Sequence, residues 1–299
     1  MSTTETRSGH AVVVGVDSGQ STGRAVEEAA AHARRWGSPL RVMHATGLTI
    51  VPWTDEHLLR LASHTEKCRQ RALRVAPDLT VTAVTEVDDP AAMLVEASHD
   101  ASMLVLDGGR LGQAEALLLG ATADKVMAHA ECPVMIVPLG ADLSATGPVV
   151  VGVDAHEHSA PAVALAFAEA SKREVPLHAV HSWWWDEANA AFTRGDPDEA
   201  RERVVESHRL IVAEMLAGYR DEYPDVKVSE SLVHGIAGPT LVQESRGAQL
   251  LVVGRRGRGG FPGLLLGSVG AHVVHHAHCP VVVVPSTPAD RRGAGGETP

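Results

Sequence analysis

The 299 residues, 44% hydrophobic and 21% charged, suit two ordinary folded domains better than one and do not match a disordered chain. A formal net charge of -11 argues against a broad nucleic-acid surface, and no apolar run approaches the ~20 residues of a membrane-spanning helix. Cys68, Cys132 and Cys279 form no C-x-x-C pair and Met1 to His10 are polar, so neither a zinc knuckle, a disulfide framework nor a signal peptide is expected; a reducing cytoplasm is the simplest home.

Taken in order, the chain is written twice. Val-Val-Val-Gly-Val-Asp stands at 12–17 and again at 149–154, an offset of 137 that also aligns His44 with His181. Further on the offset is 147: Leu94-Val95 aligns with Leu241-Val242, and Cys132-Pro133-Val134 with Cys279-Pro280-Val281. The ten extra residues are expected around Trp183 to Asp198. A repeat this long is a duplicated domain and not a solenoid. The domains are read as 10–139 and 147–286, with a linker at Gly140–Pro148 and a disordered tail at 287–299.

In the first copy, Asp88-Asp89-Pro90 starts the helix that carries Leu94, and Val134–Val137 is the last strand. In the second copy, Val149–Val153 is a β-branched run of the kind that is buried on both faces. A helix over 159–173, a strand over Leu177–His181 and a helix over Pro197–Tyr219 follow. Then come a strand over Val226–Val233, a short helix over 239–246, a strand over Leu250–Val253, a helix over 268–278 and a last strand over Val281–Val284. Strands alternating with helices imply parallel sheets with right-handed crossovers. The expected fold is therefore α/β: two doubly wound, Rossmann-like domains, each a five-stranded mostly parallel sheet flanked by helices.

The strand Leu250–Val253 leads into Gly254-Arg-Arg-Gly257, nine further residues, and Gly267-Ser268 at the start of a helix. A helix N-terminus offers unpaired N–H groups and the positive end of its dipole, and glycines let backbone amides reach phosphate oxygens. Ser268 can cap the helix or donate its hydroxyl to a phosphate, and Arg255, Arg256 and Arg258 add charge. Neither a Walker A loop nor a G-x-G-x-x-G fingerprint is present.

The pattern Gly254-x2-Gly257-x9-Gly267-Ser268 resembles that of the ATP-binding branch of the universal stress protein family. Val-Gly-Val-Asp in the first strand and Cys-Pro-Val-x-x-Val-Pro at the end of each copy are similar to the same family. The resemblance implies that ATP, with Mg, is held by the second copy. Asp154 would contact the adenosine, Ser182, just after the second strand, would meet adenine through its backbone, and Gly254, Gly257, Gly267, Ser268 and Val269 would surround the ribose and triphosphate. It also implies that Val134–Val137 and Val281–Val284 pair to make a pseudo-dimer within one chain, and that two chains can form a homodimer.

At the positions of Gly254, Gly257, Gly267 and Ser268 the first copy has Asp107, Arg110, Gly120 and Ala121. Asp107 puts a carboxylate where phosphates would sit and Ala121 has no hydroxyl, so this half is expected not to hold ATP, although Asp17 is retained. His272, His275, His276 and His278 crowd the last helix without an accompanying carboxylate or cysteine cluster and are read as surface histidines, not metal ligands. Trp183, Trp184 and Trp185 are read as burying against the inserted segment or, alternatively, as supplying one ring that covers the nucleotide base or an adjacent partner surface. No catalytic constellation emerges, so a regulatory ATP-binding protein of the stress response is expected, not an enzyme. The alternative is a nucleotide-independent scaffold or partner-binding module; no protein partner is legible.

Overall fold

The computed structural model describes residues 10–17, 22–47, 55–108, 120–154, 159–184, 197–255 and 266–285. The chain divides into two compact units, Met1–Leu143 with Pro280–Pro285, and a second built on Ser144–Cys279.

The first unit runs β1 (Ala11–Gly15), α1 (Thr22–Trp36), β2 (Leu40–Ala45), α2 (Asp55–Val75), β3 (Val81–Glu86), α3 (Pro90–Ala97), β4 (Ala101–Asp107), α4 (Ala121–His129) and β5 (Val134–Val137). Its strands lie in the order β3-β2-β1-β4-β5, all parallel. Val12, Val13 and Val14 are at most 1% exposed, as expected of a central strand covered on both faces. Helices α1 and α2 pack together, as do α3 and α4. Right-handed crossovers away from β1 in opposite directions produce that segregation. Asp89 caps α3 as the sequence predicts: its Oδ1 accepts the N–H groups of Ala91 and Ala92 at 2.9 Å, with Pro90 opening the helix. A further strand, β10 (Val281–Val284), joins this unit antiparallel to β5, with Val281 opposite Ile136 and Val283 opposite Val134.

The second unit runs β6 (Val149–Gly152), α5 (Ala160–Arg173), β7 (Leu177–Trp183), α6 (Pro197–Glu222), β8 (Val228–His234), α7 (Ala237–Glu244), β9 (Leu250–Gly254) and α8 (Ser268–His276). Its strand order is β9-β6-β7-β8, again parallel. The core is aliphatic, with Val149, Val150, Val151, Leu250, Leu251 and Val252 fully buried and Phe167 stacked on Tyr219 with centroids 5.5 Å apart. The duplication extends to single contacts. Ser98 Oγ donates to Val95 O and accepts Glu131 N–H at 2.9 Å; Ser245 Oγ, 147 residues on, donates to Val242 O and accepts His278 N–H at 3.0 Å.

Several element boundaries differ from the sequence-based expectation: β8 starts at Val228 and not Val226, α7 spans Ala237–Glu244 and not 239–246, and three more differences stand out. β7 continues to Trp183, because its ladder with β8 runs on to Trp183 opposite His234. The extra residues of the second copy are not confined to the connection, since α6 has 26 residues against 21 in α2. α8 stops at His276, where Ala277 turns extended (φ -64°, ψ 151°), so His278 lies off the helix. Among the described residues no helix is long and apolar enough to cross a membrane.

Candidate anion site at the switch point of the second sheet

β7 and β8 extend from β6 on one side and β9 lies on the other, so the β6/β9 boundary is where the strand order reverses. Crossover helices leave that boundary towards opposite faces and open a crevice at the carboxyl ends of the strands. Asp154 stands just beyond β6, and Gly254 ends β9. Asp154 Oδ1 accepts the hydroxyl of Ser159 at 2.6 Å, and Ser159 Oγ in turn accepts the Asp154 N–H at 2.9 Å. Ser159 occupies the N-cap of α5 yet makes no cap hydrogen bond, because its hydroxyl is spent on fixing Asp154.

Ser182 lies inside β7, not after it. Trp183 O accepts the Gly235 N–H on the β8 side, and Val180 O accepts the Val153 N–H on the β6 side. N–H and C=O directions alternate along a strand, so Ser182 turns its backbone groups towards β6, whose ladder with β7 ends two residues earlier at Gly152 opposite Val180. The Ser182 hydroxyl donates to Gly235 O and secures the neighbouring turn. The backbone edge of Ser182 therefore faces the space beyond the tip of β6.

At the end of β9 the Arg255 carbonyl accepts the Gly267 N–H at 2.9 Å, which closes the neck of the loop and sets the start of α8 beside the strand end. Gly267 is the N-cap residue of α8 (φ -66°, ψ 153°) and has no side chain to cap it, so Ser268 and Val269 open a helix whose first-turn amides lack the usual Ser, Thr or Asp cap. Gly257, Arg256 and Arg258 lie outside the described residues. Arg255 is buried, only 8% exposed, and is not a freely presented loop cation.

Two further groups flank the site. His181 is buried and its Nδ1 is 2.7 Å from Val153 O, with Nε2 2.9 Å from His208 Nδ1. A carbonyl only accepts, so Nδ1 carries the hydrogen, and in the neutral ring Nε2 accepts from His208. Trp183 is buried against His208 and His234, whereas Trp184 is 68% exposed and stacks on His234 with centroids 5.3 Å apart; Trp185 lies outside the described residues. His272 and His276 stack on each other, and burial, then the neighbouring His276 and His275, push the His272 pKa down. Among the described residues no group of three or more His, Cys, Asp or Glu side chains is gathered as a metal ion would need.

The first unit has the same switch point, at β1/β4, with different chemistry. Thr22 Oγ1 is 2.5 Å from Asp17 Oδ1 and 3.3 Å from Asp107 Oδ2, so two carboxylates converge on one hydroxyl. His64 Nε2 donates to Asp17 O at 2.7 Å. His44, the counterpart of His181, is 5% exposed with no hydrogen-bond partner at either ring nitrogen among the described residues, and burial, then His64, push its pKa below the usual 6.5 against the opposing pull of Asp17. Sequence reasoning missed Thr22, Ser159 and His208. The first two were findable, because the offset of 137 that aligns Asp17 with Asp154 also aligns Thr22 with Ser159.

Two α/β units, each with a strand-order switch point, define a tandem α/β architecture. The universal stress protein family model matches residues 10–138 and again 146–285. A universal stress protein of Mycolicibacterium smegmatis is 34% identical over 290 residues, covering 92% of this chain and 97% of that one. Universal stress protein Rv2005c of Mycobacterium tuberculosis is 34% identical over 292 residues, covering 93% and 97%. In fold, the chain is similar to a universal stress protein from Archaeoglobus fulgidus, with a TM-score of 0.66 at 19% identity over 94% of this chain and 97% of that one. The chain belongs to the universal stress protein family.

Proposed function

We infer that the chain is an ATP-binding regulatory protein of the stress response, that the second unit holds the nucleotide, and that the first does not. The observation that carries this is the glycine-capped start of α8, fixed by the Gly267 to Arg255 bond beside the switch point where Asp154 stands. Uncapped first-turn amides and the positive helix end suit a phosphate chain. Ser268 would add a hydroxyl donor, Asp154 would accept from the ribose or base, and the backbone edge of Ser182 would read the adenine. Gly254 and Gly257 would let the loop close on the phosphates. Magnesium would accompany the triphosphate through phosphate oxygens. In this reading the protein acts by binding, in a reducing cytoplasm, and not by turnover.

The reading of the first unit as silent rests on Asp17 and Asp107 meeting at Thr22, since a phosphate there would face two carboxylates. The same feature favours the second reading, a nucleotide-independent scaffold, because one unit keeps its fold with phosphate-repelling chemistry at its switch point. Calorimetric titration of nucleotide-free protein with Mg-ATP, at two temperatures, separates them. One site per chain, lost in a Gly257→Asp/Ser268→Ala double variant, is the expected result. Absence of heat at both temperatures would leave the scaffold.

A further inference from the structure

In the first unit, a cavity of ≈ 410 Å³ opens between the start of α1 and one face of α2, lined by Thr22, Gly23, His64, Lys67, Arg71 and Arg74 among others. It is large enough for a small metabolite. Among the described residues no carboxylate lines it, although the chain as a whole carries a net charge of -11. Lys67, Arg71 and Arg74 stand at i, i+4 and i+7, so one face of α2 presents three cations along ~10 Å of helix axis. Like charges at this spacing repel one another.

Arg71 is fixed in place. Its Nε donates to Glu27 Oε1 at 2.9 Å, and its guanidinium lies so close to Gly23 that a Cβ there would come within 2.5 Å of Cζ. Lys67 and Arg74, on either side of it, have neither a hydrogen bond nor an ion pair with the described residues. The cavity shares Thr22 with the strand-tip cluster but not the carboxylates Asp17 and Asp107. Those two acids disfavour an anion at the strand tips of this unit, while the α1/α2 groove attracts one.

We propose that the α1/α2 groove of the first unit binds a small organic molecule carrying two phosphate groups, one on Lys67 and one on Arg74, with Arg71 between them. Phosphate groups on adjacent carbons or at the two ends of a sugar are held this way by cations in a row, each contact charge-assisted. The site is independent of the nucleotide site inferred for the second unit.

The test is a titration of isotope-labelled full-length chain with fructose 1,6-bisphosphate, followed by nuclear magnetic resonance at the backbone amides of Gly23, Arg71 and Ser268. Saturable shifts at Gly23 and Arg71 are expected, with a Kd near or below ~1 mM, weakened at least about tenfold in a Lys67→Gln/Arg74→Gln variant whose remaining spectrum is unchanged. Three results overturn the proposal: no saturable shift, equal affinity in the variant, or shifts confined to Ser268, which would assign the ligand to the phosphate loop of the second unit. Inorganic phosphate runs in parallel. Equal affinity for it would make the groove a single-anion site and remove the two-phosphate assignment.

Discussion

At the residue scale, the second unit uses a few buried polar groups to hold its working surface. Ser245 ties the end of α7 to the chain after α8, so Ser245→Ala would leave the Val242 carbonyl and the His278 N–H without their partner. A loss of about 1–3 kcal/mol in chemical denaturation is expected. Glu169 and Arg173 form an ion pair 2.9 Å apart inside α5, with side chains 0% and 4% exposed. Arg173→Met alone takes the guanidinium away from a buried carboxylate and is expected to cost about 3–5 kcal/mol, while Glu169→Leu/Arg173→Met regains most of it. Denaturation of both variants checks the pair, and a double variant as unstable as the single one would count against it. His44 gives a pH dependence. Its folded pKa is depressed below 6.5, so as pH falls through 6.5 the unfolded chain takes a proton that the folded one refuses. Stability therefore drops with falling pH, and His44→Leu is expected to flatten the stability curve between about pH 7 and 5.

At the element scale, the candidate site depends on where α8 starts. Gly238 in α7 lets α8 approach closely: a Cβ there would come within 2.9 Å of the His272 ring. Gly238→Val must push the ring and the helix aside, with an expected cost of about 1–3 kcal/mol. Because α8 carries Gly267 and Ser268 at its start, the same variant is expected to weaken Mg-ATP binding, measured by calorimetry. Unchanged affinity would mean that α8 is free to shift without moving its first turn. The helices themselves were largely legible from apolar spacing, as in α5 and α6. Their ends were legible to within three residues, from the expected 159–173 to Ala160–Arg173 and from Pro197–Tyr219 to Pro197–Glu222. The lengthening of α6 could not be separated from the preceding connection, because an insertion read from an offset has no address within a polar helix face.

At the scale of the whole molecule, the last strand of the second copy is counted with the first unit, antiparallel to β5. Both strands are buried along their whole length, with Val134, Met135, Ile136 and Val137 at most 2% exposed. A chain ending at Cys279 would leave β5 as an open, apolar edge, a template for pairing with another chain. Concentration-dependent association of that truncated chain in sedimentation velocity is expected, where the full chain at the same concentrations associates less. Equal association of the two would show that β10 does not protect this edge.

The sequence by itself determined the duplication, the parallel α/β class and the strand-loop-helix placement of Gly254, Gly267 and Ser268. Those features are written in local order: β-branched runs, helical spacing, glycines at fixed intervals and a hexapeptide repeated at one offset. The tertiary structure alone decided that Asp17 and Asp107, 90 residues apart in the chain, meet on the Thr22 hydroxyl, and that Ser182 turns its backbone edge towards the end of β6. Each of these is a contact between segments distant in sequence. Residue spacing encodes which way a side chain faces along its own element, but which elements become neighbours is settled only when the sheet is assembled.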